Sequence, residues 1–355
     1  MKQTNSQNPQ ATSQEDNLPF DPAWYMIRLH ARLRRSEQKR NSGVKKQLCR
    51  LAGKVTRWSN SALIRLAVWD AANPWLDKQG VQAIRQERAK LLDALSGRIK
   101  LSANGAKLYL GELSPGCAIC MAGYWGCNYI NGRCQRTCFY CMRYHSMLTE
   151  PDCRTDSFSF RSPAEHINYL KTFRIKGVGF SGGEPLLAPE RLLSHIVAIR
   201  REFGPSMYLW MYTNGDLVNR EILSELKAAG LNEMRFDLSA RDYEMSPVRL
   251  AREYISTVTV EIPAIPEDFP VLRELLGELQ AIGVNHLNLH QLVAARRNWR
   301  AYCQRHYHFS IQQLPTVYES ELCALRLLLY ACEQQLRLPI NYCSYAYRSR
   351  YYARA

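Results

Sequence analysis

No apolar run approaches the roughly 20 residues that a membrane-spanning helix needs. The first twenty residues, MKQTNSQNPQATSQEDNLPF, also lack the apolar core of a secretory signal. The expected address is the cytoplasm. No segment repeats at a fixed period, which argues against a solenoid. Acidic residues are scarce: 32 Asp and Glu face 47 Lys and Arg, for a net charge of +15. Most of that excess sits in one place, since residues 21–100 hold 18 Lys and Arg against 6 Asp and Glu. Such a stretch can bind nucleic acid or an acidic peptide, or can be a solvated helical face that aids solubility. Both readings stay open.

The remaining composition is that of a globular protein, with 46% hydrophobic and 22% charged residues. A chain of 355 residues suits one large domain with an appendage, or two domains. Residues 1–20 have no periodicity and are rich in Gln, Asn and Ser, so a disordered tail is expected. Residues 21–101 turn helical, with Trp24, Ile27 and Ala31 spaced along one face. Asn60-Ser61 can cap the run Ala62–Trp69, and Asn73-Pro74 breaks the chain before a further helix near Val81–Leu95.

From 102 to 295 strands and helices alternate. Strands are expected at Tyr124–Ile130, Gly177–Phe180, Met207–Tyr212, Glu233–Leu238, Ser256–Ile262 and His286–Leu289. Helices are expected at Pro163–Arg174, Arg191–Phe203, Asn219–Ala229 and Val271–Ile282. This rhythm predicts an α/β fold with a parallel sheet covered by helices. Residues 296–355 form a closing segment, with a helix over Glu319–Gln335 and a strand over Leu338–Cys343. It either closes one sheet edge or lids the site.

Twelve cysteines are present, and seven fall between Cys117 and Cys153. In a reducing compartment such clustering points to metal ligands before disulfides. Cys134, Cys138 and Cys141 are spaced C-x3-C-x2-C, so three thiolates can wrap one centre. A [4Fe–4S] cluster usually takes four cysteines, and with three one iron stays open to a ligand. Zinc more often shows paired C-x2-C units or mixes in histidine, and His145 is close enough to be a fourth ligand. Cys117 and Cys120 form a C-x2-C pair that suits a metal, as thiols three apart converge at a turn. Cys127 falls on the first strand, where a buried free thiol is the commoner outcome. Cys343 can complete a distant site. Cys49, Cys153, Cys303, Cys323 and Cys332 read as solitary thiols.

The C-x3-C-x2-C loop, with Tyr140 before its last cysteine, resembles the signature of the radical SAM superfamily. Ser181-Gly182-Gly183-Glu184-Pro185 follows the second strand and resembles the GGE motif of that family. The resemblance implies a partial (β/α)6 radical SAM barrel with an N-terminal helical extension. It also implies a [4Fe–4S] cluster on Cys134, Cys138 and Cys141, whose open iron holds S-adenosylmethionine (SAM). One electron then yields a 5′-deoxyadenosyl radical that abstracts hydrogen. By the same resemblance Gly182 and Gly183 let the backbone approach the methionine end of SAM, and Glu184 fixes the turn. Tyr140 would pack beside the adenine. Thr213, Asn214, Arg235, Asp237 and Ser239 would face the ribose and carboxylate.

The span from Pro115 to Ser344 is similar to a group labelled pyruvate formate-lyase activating enzyme-like. The likeness rests on the early CxxC, the CFYC loop, Val260–Pro266, Leu287–Leu292 and the late Cys343. Classical activating enzymes are shorter and lack the helical preface, which tells against activation of a glycyl radical enzyme. The stretch from Cys332 to Cys343 contains no glycine, unlike the SPASM peptide-modifying subgroup. The resemblance implies an enzyme acting on a peptide, protein or amino-acid-derived substrate, served by an electron donor such as flavodoxin or ferredoxin. The rival readings are a radical SAM enzyme that modifies tRNA and a non-catalytic metal-stapled nucleic-acid-binding protein. A second iron–sulfur cluster or a zinc ion on Cys117, Cys120 and Cys343 is the remaining expectation.

Overall fold

The computed structural model describes residues 78–142, 153–155, 157–295, 297–311 and 314–352. The expected tail, the helices expected before residue 78, Cys49 and His145 lie outside the described residues. Helix α1 (Lys78–Leu95) leads into strands β1 (Lys100–Ser102) and β2 (Lys107–Leu110), then α2 (Pro115–Ala122) and β3 (Trp125–Asn131). Short strands β4 (Cys153–Arg154) and β5 (Ser159–Phe160) precede α3 (Pro163–Thr172). The alternation then runs β6 (Gly177–Gly182), α4 (Pro189–Phe203), β7 (Tyr208–Thr213), α5 (Arg220–Ala229) and β8 (Glu233–Phe236). It continues through α6 (Ser246–Arg252), β9 (Thr257–Pro263), α7 (Phe269–Ala281) and β10 (His286–His290). The chain ends with α8 (Trp299–Gln304), β11 (Phe309–Ile311), β12 (Pro315–Val317), α9 (Tyr318–Glu333), β13 (Ile340–Cys343) and α10 (Tyr345–Tyr352).

The main sheet has the order β1-β2-β13-β10-β9-β8-β7-β6-β3-β4-β5. Every pair from β3 through β6, β7, β8, β9 and β10 to β13 is parallel. The expected parallel α/β sheet is present, and its mostly parallel, helix-covered strands form a partial barrel. The C-terminal strand settles the choice left open by the sequence. It adds to the sheet beside β10 and pairs antiparallel with β2, so it widens the wall.

Strand alternation gives the sheet two different faces. Leu209, Met211, Met234, Phe236, Val258, Val260, Leu287 and Leu289 point outward and are fully or almost fully buried. They meet the apolar stripes of the covering helices, including Leu192, Ile196 and Ile199 of α4 and Leu272, Leu276 and Leu279 of α7. Each such side chain contributes roughly 1.5–3 kcal/mol on burial. The inward positions are polar. Tyr212 stands opposite Arg235, and Glu261 opposite Asn288, which in turn stands opposite Asn341.

Helix α2 lies against this inner face, which the sequence reading missed. Cys117 and Cys120 therefore sit on a helix, where they had been expected at a turn. Its signals were present: Ser114 caps it by accepting from the Cys117 N–H at 3.2 Å, Pro115 opens it, and Gly123 ends it at φ 81°. Small residues make the close fit. A Cβ at Gly116 would lie 2.4 Å from Arg235 Nη2, and one at Gly179 would lie 2.7 Å from Trp210 Nε1. No described helix is long and apolar enough to cross a membrane.

On the outer face a histidine pair links two helices to the sheet. Nδ1 of His166 lies 3.1 Å from Nδ1 of His195 and 3.2 Å from Asn128 Nδ2. Burial pulls His166 down to about 3 and His195 down to about 4 from an ordinary 6.5, so both are neutral in the fold. Unfolding below pH 6.5 lets them take up protons. Their contribution is complete above that pH and is lost as pH falls toward the folded values, by about 1.4 kcal/mol per pH unit for each ring at the steepest. Melting temperature followed from neutral to acid pH should fall more steeply in the native chain than in His166→Phe/His195→Leu. Equal slopes would show that the pair does not titrate on unfolding.

Candidate active site

The carboxyl ends of the parallel strands open on one cavity of about 830 Å³, within the ~300–1,000 Å³ range of ligand pockets. In an α/β barrel this is the end where loops converge on a ligand. The segment after β3 brings Cys134, Cys138 and Cys141 to its wall. Cys134 is exposed and the other two are half-buried. The Cys141 N–H donates to the Cys138 carbonyl at 3.1 Å and folds the loop back on itself.

Donors are aimed at the sulfurs. The Arg136 N–H reaches Cys134 Sγ at 3.4 Å, Asn214 Nδ2 reaches it at 3.7 Å, and Arg297 Nη1 reaches Cys141 Sγ at 3.3 Å. Such contacts stabilise sulfur that carries negative charge, as metal-bound thiolate does. Burial pushes the Cys134 thiol up and Cys138 up to about 11, so a metal must displace their protons on binding. Among the described residues no three His, Cys, Asp or Glu side chains could hold a single ion. In a cubane each thiolate binds a different iron, so three loop thiols with N–H donors on two of the sulfurs fit such a cluster.

The GGEP segment is locked to the loop through backbone. Asn131 O accepts from the Gly183 N–H at 2.9 Å, and Arg133 O accepts from the Glu184 N–H at 2.7 Å. Asn131 Nδ2 returns a bond to Glu184 O at 2.8 Å, and its Oδ1 accepts from the Arg133 N–H at 2.7 Å. A Cβ at Gly182 would lie 2.2 Å from Asn131 O, and Gly182 has φ +138°. A Cβ at Gly183 would lie 1.8 Å from Arg133 O. The glycines had been expected to make room for SAM; the contact seen here is with the cysteine loop, while both also line the cavity.

Glu184 is 1% exposed, and its carboxylate accepts from Leu186 N, Thr213 Oγ1 and Asn214 N at 3.1, 3.0 and 2.8 Å. Burial pushes it up to about 7 against the pull of those three donors. It thereby ties the end of β6 to the end of β7, and Asn214 carries the tie back to Cys134. On the other side Arg136 makes a paired contact with Asp216 at 2.5 and 2.6 Å. Tyr140 donates to both oxygens of Asp237 at 3.1 and 3.0 Å, and burial pushes Asp237 up to about 6.

Thr213, Asn214, Arg235 and Asp237 line the cavity with Tyr140 and the GGE residues, whereas Ser239 lies in the turn after β8, outside that lining. Arg235 is held by protein groups: Glu233 at 2.9 Å, Glu261 at 2.8 Å and Ser114 Oγ at 3.1 Å. Cys117, Cys120 and Cys343 line the same cavity, and so does Cys127, which faces inward and not into the apolar core. Sequence reasoning missed Asn131, Arg297, Asn298, whose Nδ2 donates to the Tyr140 carbonyl at 3.1 Å, and the Glu261–His290 pair at 2.9 Å, since none sits in a recognisable pattern.

Residues 128–261 match the family model described as Radical SAM superfamily. That segment matches a radical SAM domain. A Methanocaldococcus jannaschii protein bearing the name of a glycyl-radical enzyme activating enzyme is 28% identical over 242 residues, covering 65% of this chain. The chain spans 63% of the length of that relative. Among solved structures, Streptococcus suis SuiB bound to S-adenosylmethionine has a TM-score of 0.44 at 12% identity, over 62% of this chain and 49% of that one. The Escherichia coli coproporphyrinogen III oxidase HemN, a radical SAM enzyme, has a TM-score of 0.37 at 13% identity, over 63% and 56%. The radical SAM family that this segment matches implies a [4Fe–4S] cluster and SAM.

The glycine geometry makes a specific prediction. Gly183→Val should displace the Arg133 carbonyl and lower the iron retained on the loop cysteines after anaerobic reconstitution by more than half. Gly277→Ala, where a Cβ meets nothing within 4 Å, should leave iron content unchanged. Normal iron in Gly183→Val would break the link between this strand end and the cluster loop.

Proposed function

We propose that this protein is a radical SAM enzyme acting on a peptide, protein or amino-acid-derived substrate. When bound, a [4Fe–4S] cluster with SAM supplies one-electron cleavage of the sulfonium bond and a 5′-deoxyadenosyl radical that abstracts hydrogen. The observation that carries the reading is the three-thiol loop, with N–H donors on its sulfurs, fastened by backbone to the GGE segment.

The residues of the chain hold and shield that chemistry. Cys134, Cys138 and Cys141 would hold the cluster, while Gly182, Gly183 and Glu184 fix the adjoining wall. Asp237 and Tyr140 form one hydrogen-bonded unit facing the cavity, suited to ribose hydroxyls and an aromatic base. The cavity walls limit water around a reactive radical. Support for a protein substrate comes from the name of the M. jannaschii relative. The exposed edge of the loop at Cys134, flanked by exposed Arg133, suits delivery of an electron from an acidic donor such as flavodoxin or ferredoxin.

Replacing Cys134, Cys138 or Cys141 with Ala should abolish 5′-deoxyadenosine formation from SAM and dithionite under anaerobic conditions. Cys323→Ala, whose thiol contacts the Ile265 carbonyl at 3.5 Å away from the site, should keep it. Product formation by a folded Cys134/Cys138/Cys141 triple-Ala chain would remove the assignment.

A further inference from the structure

A second group of thiols lies on the β10–β13 side of the cavity. Cys117 and Cys120 stand one turn apart on α2, and Cys343 ends β13, from the far end of the chain. Helix α2 and the C-terminal strand have no sequence neighbourhood in common, so only the fold assembles the trio. Cys117 and Cys343 are 6% and 9% exposed, and all three line the cavity.

The surroundings repeat those of the loop sulfurs. Asn288 Nδ2 lies 3.3 Å from Cys117 Sγ and Asn341 Nδ2 lies 3.8 Å from it. The Cys117 thiol also reaches Asn288 Oδ1 at 3.6 Å, and the Tyr347 hydroxyl reaches Cys120 Sγ at 3.9 Å. Amide donors thus converge on sulfur at both ends of the cavity, joined by the Arg297 guanidinium at the loop and by the Tyr347 hydroxyl here.

A buried cation completes the group. Lys107 is the cross-strand partner of Cys343 and is 1% exposed. Its ammonium lies 4.3 Å from the centre of the Tyr347 ring, and none of the described carboxylates pairs with it. A buried charge without a counter-charge is costly. The missing negative charge is what metal-bound thiolates would bring. Arg235, by contrast, has Glu233 and Glu261 and needs none.

We propose that Cys117, Cys120 and Cys343 ligate a second iron–sulfur cluster, with one iron left open toward the cavity that the loop cysteines also line. With three thiols the open iron has the same origin as in the loop. Lys107 would offset the charge of the thiolates.

The test is iron, sulfide and zinc analysis with electron paramagnetic resonance on the anaerobically reconstituted Cys134/Cys138/Cys141 triple-Ala chain. That protein carries no loop cluster, so the result is separate from any failure of SAM cleavage. Iron and sulfide should remain, and adding Cys117→Ala or Cys343→Ala should remove them. Circular dichroism distinguishes lost metal from lost fold. A Mössbauer count on the native chain is independent of any variant: about eight irons support the proposal and about four overturn it. A folded triple-Ala chain holding no metal, zinc alone, or iron indifferent to Cys117 and Cys343 overturns it equally.

Discussion

The carbonyl oxygen of Arg133 occupies the place where a side chain at position 183 would begin, only 1.8 Å from an ideal Cβ. Two chain segments can approach this closely only through glycine, and the rest of the site is arranged around that contact. It fixes the entry to the cysteine loop against the end of β6. Asn131 seals the contact with bonds to both sides, and Glu184 extends it to β7. Asn214 then returns a donor to Cys134. The loop is thereby anchored through the backbone on one side and through Arg136–Asp216 on the other, which leaves the thiols in a defined place before any metal arrives.

The sheet supports this by separating its two faces. Outward side chains build the apolar core, and inward ones line a polar interior. The Glu233–Arg235–Glu261 group lies within that interior, with Arg235 at 4% exposure. Removing one member of such a buried group costs about 3–5 kcal/mol, because its partners remain charged and unpaired. These contacts rigidify the barrel wall and fix Arg235 where it lines the cavity.

The outer structure was legible in the sequence because it follows simple periods. Alternating strands and amphipathic helices from Pro163 to His290 are found within a few residues of their expected limits. The cysteine loop and GGEP were legible because their spacing is local. Helix α2 was not legible because an eight-residue helix carries little periodic signal, and Ser114 and Gly123 alone do not distinguish its caps from a turn. The β1–β2 hairpin is too short to show alternation. Asn131, Arg297 and Lys107 were invisible for another reason: their roles depend on contacts between segments distant in sequence. Ser239 lies outside the cavity lining because β8 ends at Phe236 and the chain turns sharply after it.

The central claim is that the loop thiols present a cluster to SAM for reductive cleavage. The most direct measurement is 5′-deoxyadenosine formed by the anaerobically reconstituted native chain with SAM and dithionite, followed together with the electron paramagnetic resonance spectrum of the reduced cluster. The account predicts product that requires cluster, reductant and SAM together, and a spectrum that changes when SAM is added. A fully loaded, reduced protein whose spectrum ignores SAM and that releases no 5′-deoxyadenosine would contradict it.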